Sequence, residues 1–277
     1  MSRPFLKMNG LGNDFVVVEA RSAPFSPTAA EVRAIADRTS GIGCDQLIAI
    51  EPPDPQQGGV DARVRFWNSD GEEVSACGNG TRCVGWLLMQ ASGRDEATIE
   101  TKAGRLLAQR AGERLVSVDM GKPGLDWRDI PLAREQDTRS LDVTLYEDPS
   151  LATSPGCVSM GNPHVVFFTH DLGAVPIAAA GPIVEHHPLF PEQVNVGFAQ
   201  VLGRDRIALR VWERGAGLTK ACGTGACAAL VAAARRDLTD RTATLVLDGG
   251  ELLIEWRADD HVIMTGPAAV DYAGELP

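Results

Sequence analysis

One short motif occurs twice in this chain, and the repeat limits what the chain can fold into. A cysteine followed by Gly-x-Gly is found in ACGNGTRC at 76–83 and again in ACGTGACA at 221–228. A shift of 145 positions superposes the two cysteines and also places Trp67 on Trp212. Weaker matches follow in the same order along both halves, as in an internal duplication. The sequence therefore predicts two similar halves of about 120 residues each rather than a short-period solenoid.

Each half shows the same order of apolar patterns. An apolar strand, FVVVEA or HVVFF, precedes an alternating strand that ends in FWN or VWE. The Cys-Gly-x-Gly loop comes next, and a helix continues from Thr81 in the first half and from Ala226 in the second. Both helices are apolar on nearly every side, which predicts that each is buried within its half. The connector 121–155, rich in Pro, Asp and Gly, marks the boundary between an N-terminal domain, 1–120, and a C-terminal domain, 121–265.

The charge and the apolar patterning exclude several classes of function. A formal net charge of −11 is unfavourable for binding nucleic acid or an anionic membrane by charge alone. The longest apolar stretch, 226–234, is much shorter than the roughly 20 residues that span a bilayer. The first residues, MSRPFLKMNGLGNDF, lack the apolar region of a signal peptide. We therefore expect a cytoplasmic protein that acts on a small molecule, without a nucleic-acid or membrane partner.

The six cysteines are too few for a disulfide framework in a chain of 277 residues. No two of them have the C-x-x-C spacing of a structural zinc site, and we expect no metal. The cysteines are therefore either buried bystanders or reactive thiols.

The repeated motif combines a thiol with a place for an anion. The first N–H groups of a helix have no partner within it, the helix dipole is positive there, and glycines let a ligand approach closely. Such a loop suits a carboxylate, and the same field lowers the pKa of a nearby thiol. For one copy taken alone, a tight turn with a small buried cysteine is the better interpretation.

Two copies in similar halves favour a reaction that uses two bases. If the halves face each other across a cleft, one thiolate removes a proton from a carbon and the opposed thiol protonates its other face. Preorganised N–H donors stabilise the charge that this removal builds on an amino-acid carboxylate. Pyridoxal phosphate is the usual alternative, but no lysine lies in a recognisable cofactor-binding pattern, and we expect no cofactor.

Five stretches of the chain resemble the diaminopimelate epimerase family. They are FLKMNGLGNDF, GIGCDQ, FWNSDGEEVSACGNGTRC, GNPHVV and VWERGAGLTKACGTGACA. The resemblance implies two pseudo-symmetric α/β domains, each a curled mixed sheet around a central buried helix, with the active site in the cleft between them. It also implies a homodimer without cofactor or metal, and a last strand that returns to the first domain. Residues 266–277 are therefore candidates for joining 1–120.

The resemblance implies a role for each motif residue. Cys77 and Cys222 would be the two acid/base groups, and the amides of Gly78–Asn79 and Gly223–Thr224 would bind the reacting carboxylate. Thr224 also has a side chain typical of a helix N-cap. His164 and Glu213 would hold the reacting ammonium and support the thiols. The other substrate-binding residues would be Asn13, Gln46, Asn68, Asn162, Asn195 and Arg214.

Other interpretations remain open at the level of the sequence. His164 could be an ordinary loop histidine, Glu213 and Arg214 a solvated ion pair, and the amide side chains turn formers. The activity could instead be that of a proline or hydroxyproline racemase, although such a substrate has no second charged end. A thiol redox switch, formed by a Cys77–Cys222 disulfide, is the alternative from a different class.

Overall fold

The computed structural model describes residues 3–56, 58–75, 77–142, 144, 147 and 154–276. Ala76, which opens the first copy of the motif, and part of the 121–155 connector lie outside the described residues. The chain packs into two compact units, 1–119 with 265–277 and 120–264. These limits differ by one residue from the expected 1–120 with 266–277 and 121–265. That each unit folds as a separate domain stays a prediction.

Strands predominate over helices in both units. The strands are β1 Arg3–Gly10, β2 Asn13–Glu19, β3 Gln46–Glu51, β4 Ala62–Asn68, β5 Glu73–Val74, β6 Glu96–Thr101, β7 Gly104–Arg110, β8 Leu115–Asp119, β9 Gly156–Ser159, β10 Pro163–Thr169, β11 Asn195–Gly203, β12 Arg206–Glu213, β13 Gly217–Thr219, β14 Thr242–Leu247, β15 Gly250–Trp256, β16 Val262–Pro267 and β17 Ala269–Leu276. The helices are α1 Ala29–Ala36, α2 Gly78–Ser92, α3 Ile177–Glu185 and α4 Gly223–Arg235, with a 3₁₀ turn at Leu172–Ala174.

The first unit, 1–119 with 265–277, is a mixed sheet around helix α2. Strand β1 pairs antiparallel with both β17 and β2, and β2 runs parallel to β3 through the crossover helix α1. Strand β4 pairs antiparallel with β3 and parallel with β6, which continues into the antiparallel strands β7 and β8. Helix α2 packs against β1, β6, β7 and β8, so the sheet curls around it.

The second unit, 120–264, repeats this order of elements. Strand β10 pairs antiparallel with β9 and parallel with β11, and α3 forms the crossover between β10 and β11. Strand β12 pairs antiparallel with β11 and parallel with β14, which pairs antiparallel with β15. Helix α4 packs against β9, β10, β11, β12, β14 and β15. The predicted mixed α/β class, with a central helix in each half, is confirmed.

Small side chains allow both central helices to lie close to their sheets. A Cβ atom added at Gly85 of α2 would lie 2.5 Å from the Cβ of Ala108 on β7. Helix α4 carries five buried alanines, and its residues 225–233 are all buried. The expectation that both helices are buried is confirmed, because even polar Thr81 and Arg82 of α2 are fully enclosed. Within the described parts of the chain, no helix has both the length and the apolar character needed to cross a membrane.

Candidate active site

The two motif cysteines lie at equivalent places in their units, each as the N-cap of a central helix. Cys77 caps α2 and its Sγ accepts a hydrogen bond from the Gly80 amide at 3.4 Å. Cys222 caps α4 and its Sγ accepts from the Gly225 amide, also at 3.4 Å. The expected helix starts were therefore wrong. The helices begin at 78 and 223, and Thr224 lies in the first turn rather than at the cap, because the thiol takes the capping role.

The last glycine of each motif lets the first helical turn lie close to the sheet and to the cysteine. A Cβ at Gly80 would lie 2.9 Å from the ring of Phe66. A Cβ at Gly225 would lie 2.9 Å from Val211 and 3.2 Å from the sulfur of Cys222. Only glycine therefore lets the first turn approach this closely, and the sequence requirement of the motif follows from packing as well as from ligand access.

The predicted binding residues gather at one end of the strands that surround each thiol. Strands β2 and β3 begin at Asn13 and Gln46, and the antiparallel β4 ends at Asn68. The second unit repeats the arrangement with β10, β11 and β12, at whose ends lie Asn162, His164, Asn195 and Glu213. The unit 1 set comprises Asn13, Gln46, Asn68, Cys77, Gly78 and Asn79. The unit 2 set comprises Asn162, His164, Asn195, Glu213, Arg214, Cys222, Gly223 and Thr224.

Amide side chains in the first unit are linked in pairs. Asn79 Nδ2 donates to Asn13 Oδ1 at 2.6 Å, and Asn13 Nδ2 donates to Asp45 Oδ2 at 3.0 Å. Gln46 Nε2 donates to Asn68 Oδ1 at 2.8 Å across the β3–β4 ladder. Among the described residues, Gln46 Oε1 and Asn79 Oδ1 are buried acceptors that receive no hydrogen bond. The hydrogen-bonding capacity of these two oxygens is therefore unused within the described residues.

A cluster of charged residues supports Asn13 from behind. Asp14 accepts from Lys7 Nζ at 2.6 Å and from Arg38 at 2.7 Å, and Arg38 also reaches Asp45 at 2.7 Å. Burial raises the pKa of Asp14, but the hydrogen bonds from Arg38 and Lys7 outweigh it and hold that pKa well below its usual range. The sequence interpretation missed this cluster, although its members lie within the FLKMNGLGNDF and GIGCDQ stretches or between them.

Four side chains in the second unit form a chain of hydrogen bonds that ends at Cys222. His164 Nε2 lies 3.1 Å from Asn162 Oδ1, and Asn162 Nδ2 donates to Thr224 Oγ1 at 3.3 Å. Thr224 Oγ1 in turn lies 3.6 Å from Cys222 Sγ. Because Asn162 Oδ1 can only accept, His164 Nε2 carries the proton of that bond, and the threonine hydroxyl lies within hydrogen-bonding distance of the sulfur.

Burial sets the protonation state of both ends of this chain. His164 is 1% exposed, and desolvation, with a smaller contribution from the charge of Arg214, lowers its pKa to about 3. Burial, followed by the Glu213 carboxylate, raises the pKa of Cys222 well above its ordinary value. The expectation that the helix terminus would lower this pKa is therefore wrong for Cys222. Hydrogen bonds from Thr224 and Gly225 act in that direction, but desolvation is larger.

Glu213, which is half-buried, and Arg214, which is exposed, each donate or accept a hydrogen bond with another residue of the second unit. Thr219 Oγ1 donates a short hydrogen bond to Glu213 Oε1. The Arg214 amide donates to Asn195 Oδ1 at 3.0 Å, and its guanidinium donates to the Glu192 carbonyl at 2.8 Å. Sequence reasoning missed one further group in this region, the buried carboxylate of Glu185, which has no motif around it in the apolar helix α3.

The remaining cysteines are packing residues. Cys44, Cys83, Cys157 and Cys227 are all buried at 1% exposure or less. Burial raises the pKa of Cys44 to about 11 and that of Cys83 to about 12, so these thiols stay protonated at neutral pH. Cys44 lies in the core of the first unit and not on an open surface.

Known structures share this mixed α/β fold at low sequence identity. A hydroxyproline epimerase from Agrobacterium vitis matches with a TM-score of 0.68 at 16% identity, over 99% of this chain and 92% of that one. A phenazine biosynthesis protein of the PhzF family from Enterococcus faecalis matches with a TM-score of 0.72 at 16% identity, over all of both chains.

Sequence comparison gives the particular family. The diaminopimelate epimerase family model matches residues 5–125 and 156–270. A diaminopimelate epimerase from Phenylobacterium zucineum is 75% identical over 100% of this chain and 99% of its own. One from a Caulobacter species, strain K31, is 60% identical over 100% of this chain and 98% of its own. The chain belongs to the diaminopimelate epimerase family and is an isomerase.

Proposed function

We propose that this enzyme interconverts LL- and meso-2,6-diaminopimelate, a step in the synthesis of lysine and peptidoglycan precursors, by a two-thiol mechanism without a cofactor. The observation that carries the proposal is the pair of cysteines, each the N-cap of a central helix, in a chain 75% identical over its whole length to a diaminopimelate epimerase. A carboxylate fits the unpaired amides of such a helix start.

In the proposed reaction the two thiols act on opposite faces of one carbon. One cysteine, as thiolate, takes the α-proton and becomes a thiol, and the C–H electron pair is left on the carbon. The other cysteine, as thiol, gives its proton to the opposite face of that carbon and becomes a thiolate. The carboxylate lies on the amides of Gly78–Asn79 and Gly223–Thr224, where developing negative charge is stabilised. This requires the two units to present Cys77 and Cys222 across one cleft.

Glu213 couples substrate binding to the state of Cys222. Its carboxylate is the second cause of the raised pKa of that thiol. A substrate ammonium bound at Glu213 would offset the negative charge and so favour the Cys222 thiolate when substrate is present. His164 is neutral and acts through Asn162 and Thr224, whose hydroxyl lies within hydrogen-bonding distance of the sulfur.

The distal end of the substrate carries its own ammonium and carboxylate. Arg214 suits the carboxylate because its planar fork can bind both oxygens. The buried acceptor Gln46 Oε1 suits an ammonium. The other residues proposed for the substrate site are Asn13, Asn68, Asn79, Asn162 and Asn195.

The test follows exchange at the α-carbon. Purified enzyme is incubated with LL-2,6-diaminopimelate in deuterated water, and epimer ratio and deuterium content are measured. We expect Cys77→Ala and Cys222→Ala each to lose about 10²–10⁴-fold or more in epimerisation rate. Cys227→Ala, which removes a buried thiol from the same helix α4, serves as the matched control and should keep its rate. A Cys77→Ala enzyme that epimerises as fast as wild type would refute the two-thiol mechanism.

A substrate panel distinguishes the nearest alternative, a proline or hydroxyproline racemase. The two-ended site predicts turnover of diaminopimelate and none of proline, which has no distal charges for Arg214. We also propose that the enzyme is a cytoplasmic homodimer, which sedimentation of the purified protein and cell fractionation would test. A Cys77–Cys222 disulfide is expected to form on oxidation and to inactivate the enzyme rather than to be its purpose.

A further inference from the structure

One face of helix α3 holds the indole of Trp212. Gly181 and Glu185 are one helical turn apart and therefore lie on the same face. A Cβ at Gly181 would lie 2.5 Å from the Trp212 ring, so the ring rests directly on the helix backbone. Glu185 Oε2 accepts a hydrogen bond from Trp212 Nε1 at 2.7 Å. The helix thus fixes both the plane and the rotation of this indole.

The second oxygen of the same carboxylate holds the turn that follows. Glu185 Oε1 accepts from the Gly215 amide at 2.8 Å. Gly215 has a φ of 74°, a left-handed conformation that glycine adopts readily. The two donors, Trp212 and Gly215, directly precede and follow Glu213–Arg214 in the chain. One carboxylate therefore brackets the two residues.

The position of the Glu185 carboxylate is unfavourable for a negative charge, and its two hydrogen bonds offset that cost. Glu185 is 4% exposed and is the last residue of α3, where the helix dipole disfavours negative charge. The neighbouring His186 is positive only when protonated, and its Nδ1 lies 3.9 Å away. A glutamine of the same shape would present one acceptor and one donor, whereas both donors here need an acceptor. At this position a glutamate can therefore accept both hydrogen bonds, from Trp212 Nε1 and from the Gly215 amide, whereas a glutamine cannot.

We propose that Glu185 is a positioning residue that fixes Glu213 and Arg214 toward the substrate, an inference that rests on the function proposed above. It touches neither substrate nor reacting thiol, and acts through Trp212 and the Gly215 amide. Asn195 anchors the same turn from its other side through the Arg214 amide, at 3.0 Å. Loss of either anchor would leave the turn free to move, and displacements of about 1 Å can reduce turnover about 100-fold.

The test uses the full-length enzyme with three variants: Glu185→Gln, Trp212→Phe, and the two combined. In Glu185→Gln the amide NH₂ must face one of two N–H donors, and we expect kcat/KM to fall about 10- to 100-fold. Trp212→Phe removes one donor and should cost less. In the double variant the amide oxygen is free for Gly215, so its kcat/KM should exceed that of Glu185→Gln alone, a reversal that simple loss of stability does not produce. The exposed Glu255→Gln is the matched control.

Backbone hydrogen exchange of the 213–219 segment provides a readout that needs no substrate. We expect faster exchange there in Glu185→Gln and recovery in the double variant. Unchanged kcat/KM in Glu185→Gln, or no rescue by Trp212→Phe, would overturn the proposal. If Glu185→Gln does not fold, Trp212→Phe alone tests the proposal. A decrease in its kcat/KM supports the positioning role of Glu185, and wild-type kinetics reject that role. If the wild-type enzyme is inactive on diaminopimelate, the proposed function is refuted. Backbone hydrogen exchange of 213–219 would then be the only test of whether Glu185 holds this segment.

Discussion

At the scale of single residues, the most constrained titratable group is His164. Its imidazole is buried, and Nε2 is committed as a donor to Asn162. The neighbouring Arg214 adds positive charge, which also opposes protonation. The hydrogen bond to Asn162 needs a proton on Nε2, which the neutral form supplies. A histidinium would have to be desolvated beside a like charge, so the folded enzyme excludes it.

This burial makes stability depend on pH. The pKa of His164 falls from 6.5 to about 3 on folding, so between these values the unfolded chain binds one more proton than the folded chain. The stability that the buried, neutral imidazole contributes is fully present above pH 6.5 and is lost as the pH falls toward 3. We expect the free energy of unfolding of wild type, relative to His164→Gln, to fall by about 1.4 kcal/mol per pH unit across that window. Urea unfolding at pH 7, 6, 5 and 4 measures this slope.

The control for this prediction is an exposed histidine of the same unit. His170→Gln removes a solvated imidazole and should leave the slope parallel to that of wild type. If the slope of His164→Gln also runs parallel to that of wild type, then His164 takes up its proton as readily in the folded enzyme as in the unfolded chain, and burial does not hold it neutral.

Residue patterns in the sequence located the centre of the site better than its supports. The two cysteines were found because the motif is repeated, and the repeat is visible without a structure. Glu185 was not found, because its partners Trp212 and Gly215 are brought to it only when α3 packs on the sheet. The raised pKa of Cys222 was also missed, since a helix start can be recognised from glycines whereas depth of burial depends on the whole unit.

At the scale of elements, a glycine allows the central helix of the first unit to pack closely on its sheet. Gly85 lies in the middle of α2, where glycine disfavours the helix by about 1 kcal/mol relative to alanine. The cost is explained by Ala108 on β7, whose Cβ would lie 2.5 Å from an added Cβ. Neighbouring Val116 and Ile99 would lie at ordinary contact distances of 3.7 and 3.8 Å. The helix–sheet distance is therefore set by one pair of residues.

We expect Gly85→Ala to destabilise the enzyme by about 1–3 kcal/mol despite the better helix propensity, because overpacking forces α2 away from β7. The double variant Gly85→Ala/Ala108→Gly removes the clashing Cβ and should be more stable than the single variant. Thermal unfolding measures both. Gly112→Ala, whose added Cβ meets Leu115 at 3.4 Å, is the control and should stay within about 0.5 kcal/mol of wild type. A double variant less stable than the single one would mean that the Ala108 Cβ is not what limits the approach of α2.

Elements were predicted well where periodicity is strong and poorly where tertiary contacts define them. The alternating strand predicted to end in VWE is β12, Arg206–Glu213. The first turns of α2 and α4 were assigned to loops, because the expected polar caps are absent and a cysteine sulfur accepts the hydrogen bond instead. Helix α3 was not predicted. It contains Pro182 and has no side-chain cap, so no local signal marks it.

At the scale of the whole molecule, the first unit is discontinuous in sequence. Strand β17, at the end of the chain, pairs with β1 at its start, from Arg3 opposite Leu276 to Asn9 opposite Ala269. Phe5 packs edge-on against Tyr272, with ring centroids 6.0 Å apart. The matching sequence halves do not reveal this exchange, because β17 has no counterpart in the repeat. The assignment of 266–277 came from family resemblance.

Deleting residues 269–277 should therefore destabilise the N-terminal strands of the first unit more than it destabilises the second unit. Without β17, strand β1 loses one ladder, Leu276 leaves the core, and Phe5, now 5% exposed, meets solvent. Hydrogen-exchange mass spectrometry should show faster exchange in peptides from 3–19, with α4 peptides from 223–235 still protected. Tyr272→Ala, which keeps the strand but removes the ring, should show a smaller effect. Equal loss of protection in both units would mean that the chain unfolds as one body and that the two compact units are not separate domains.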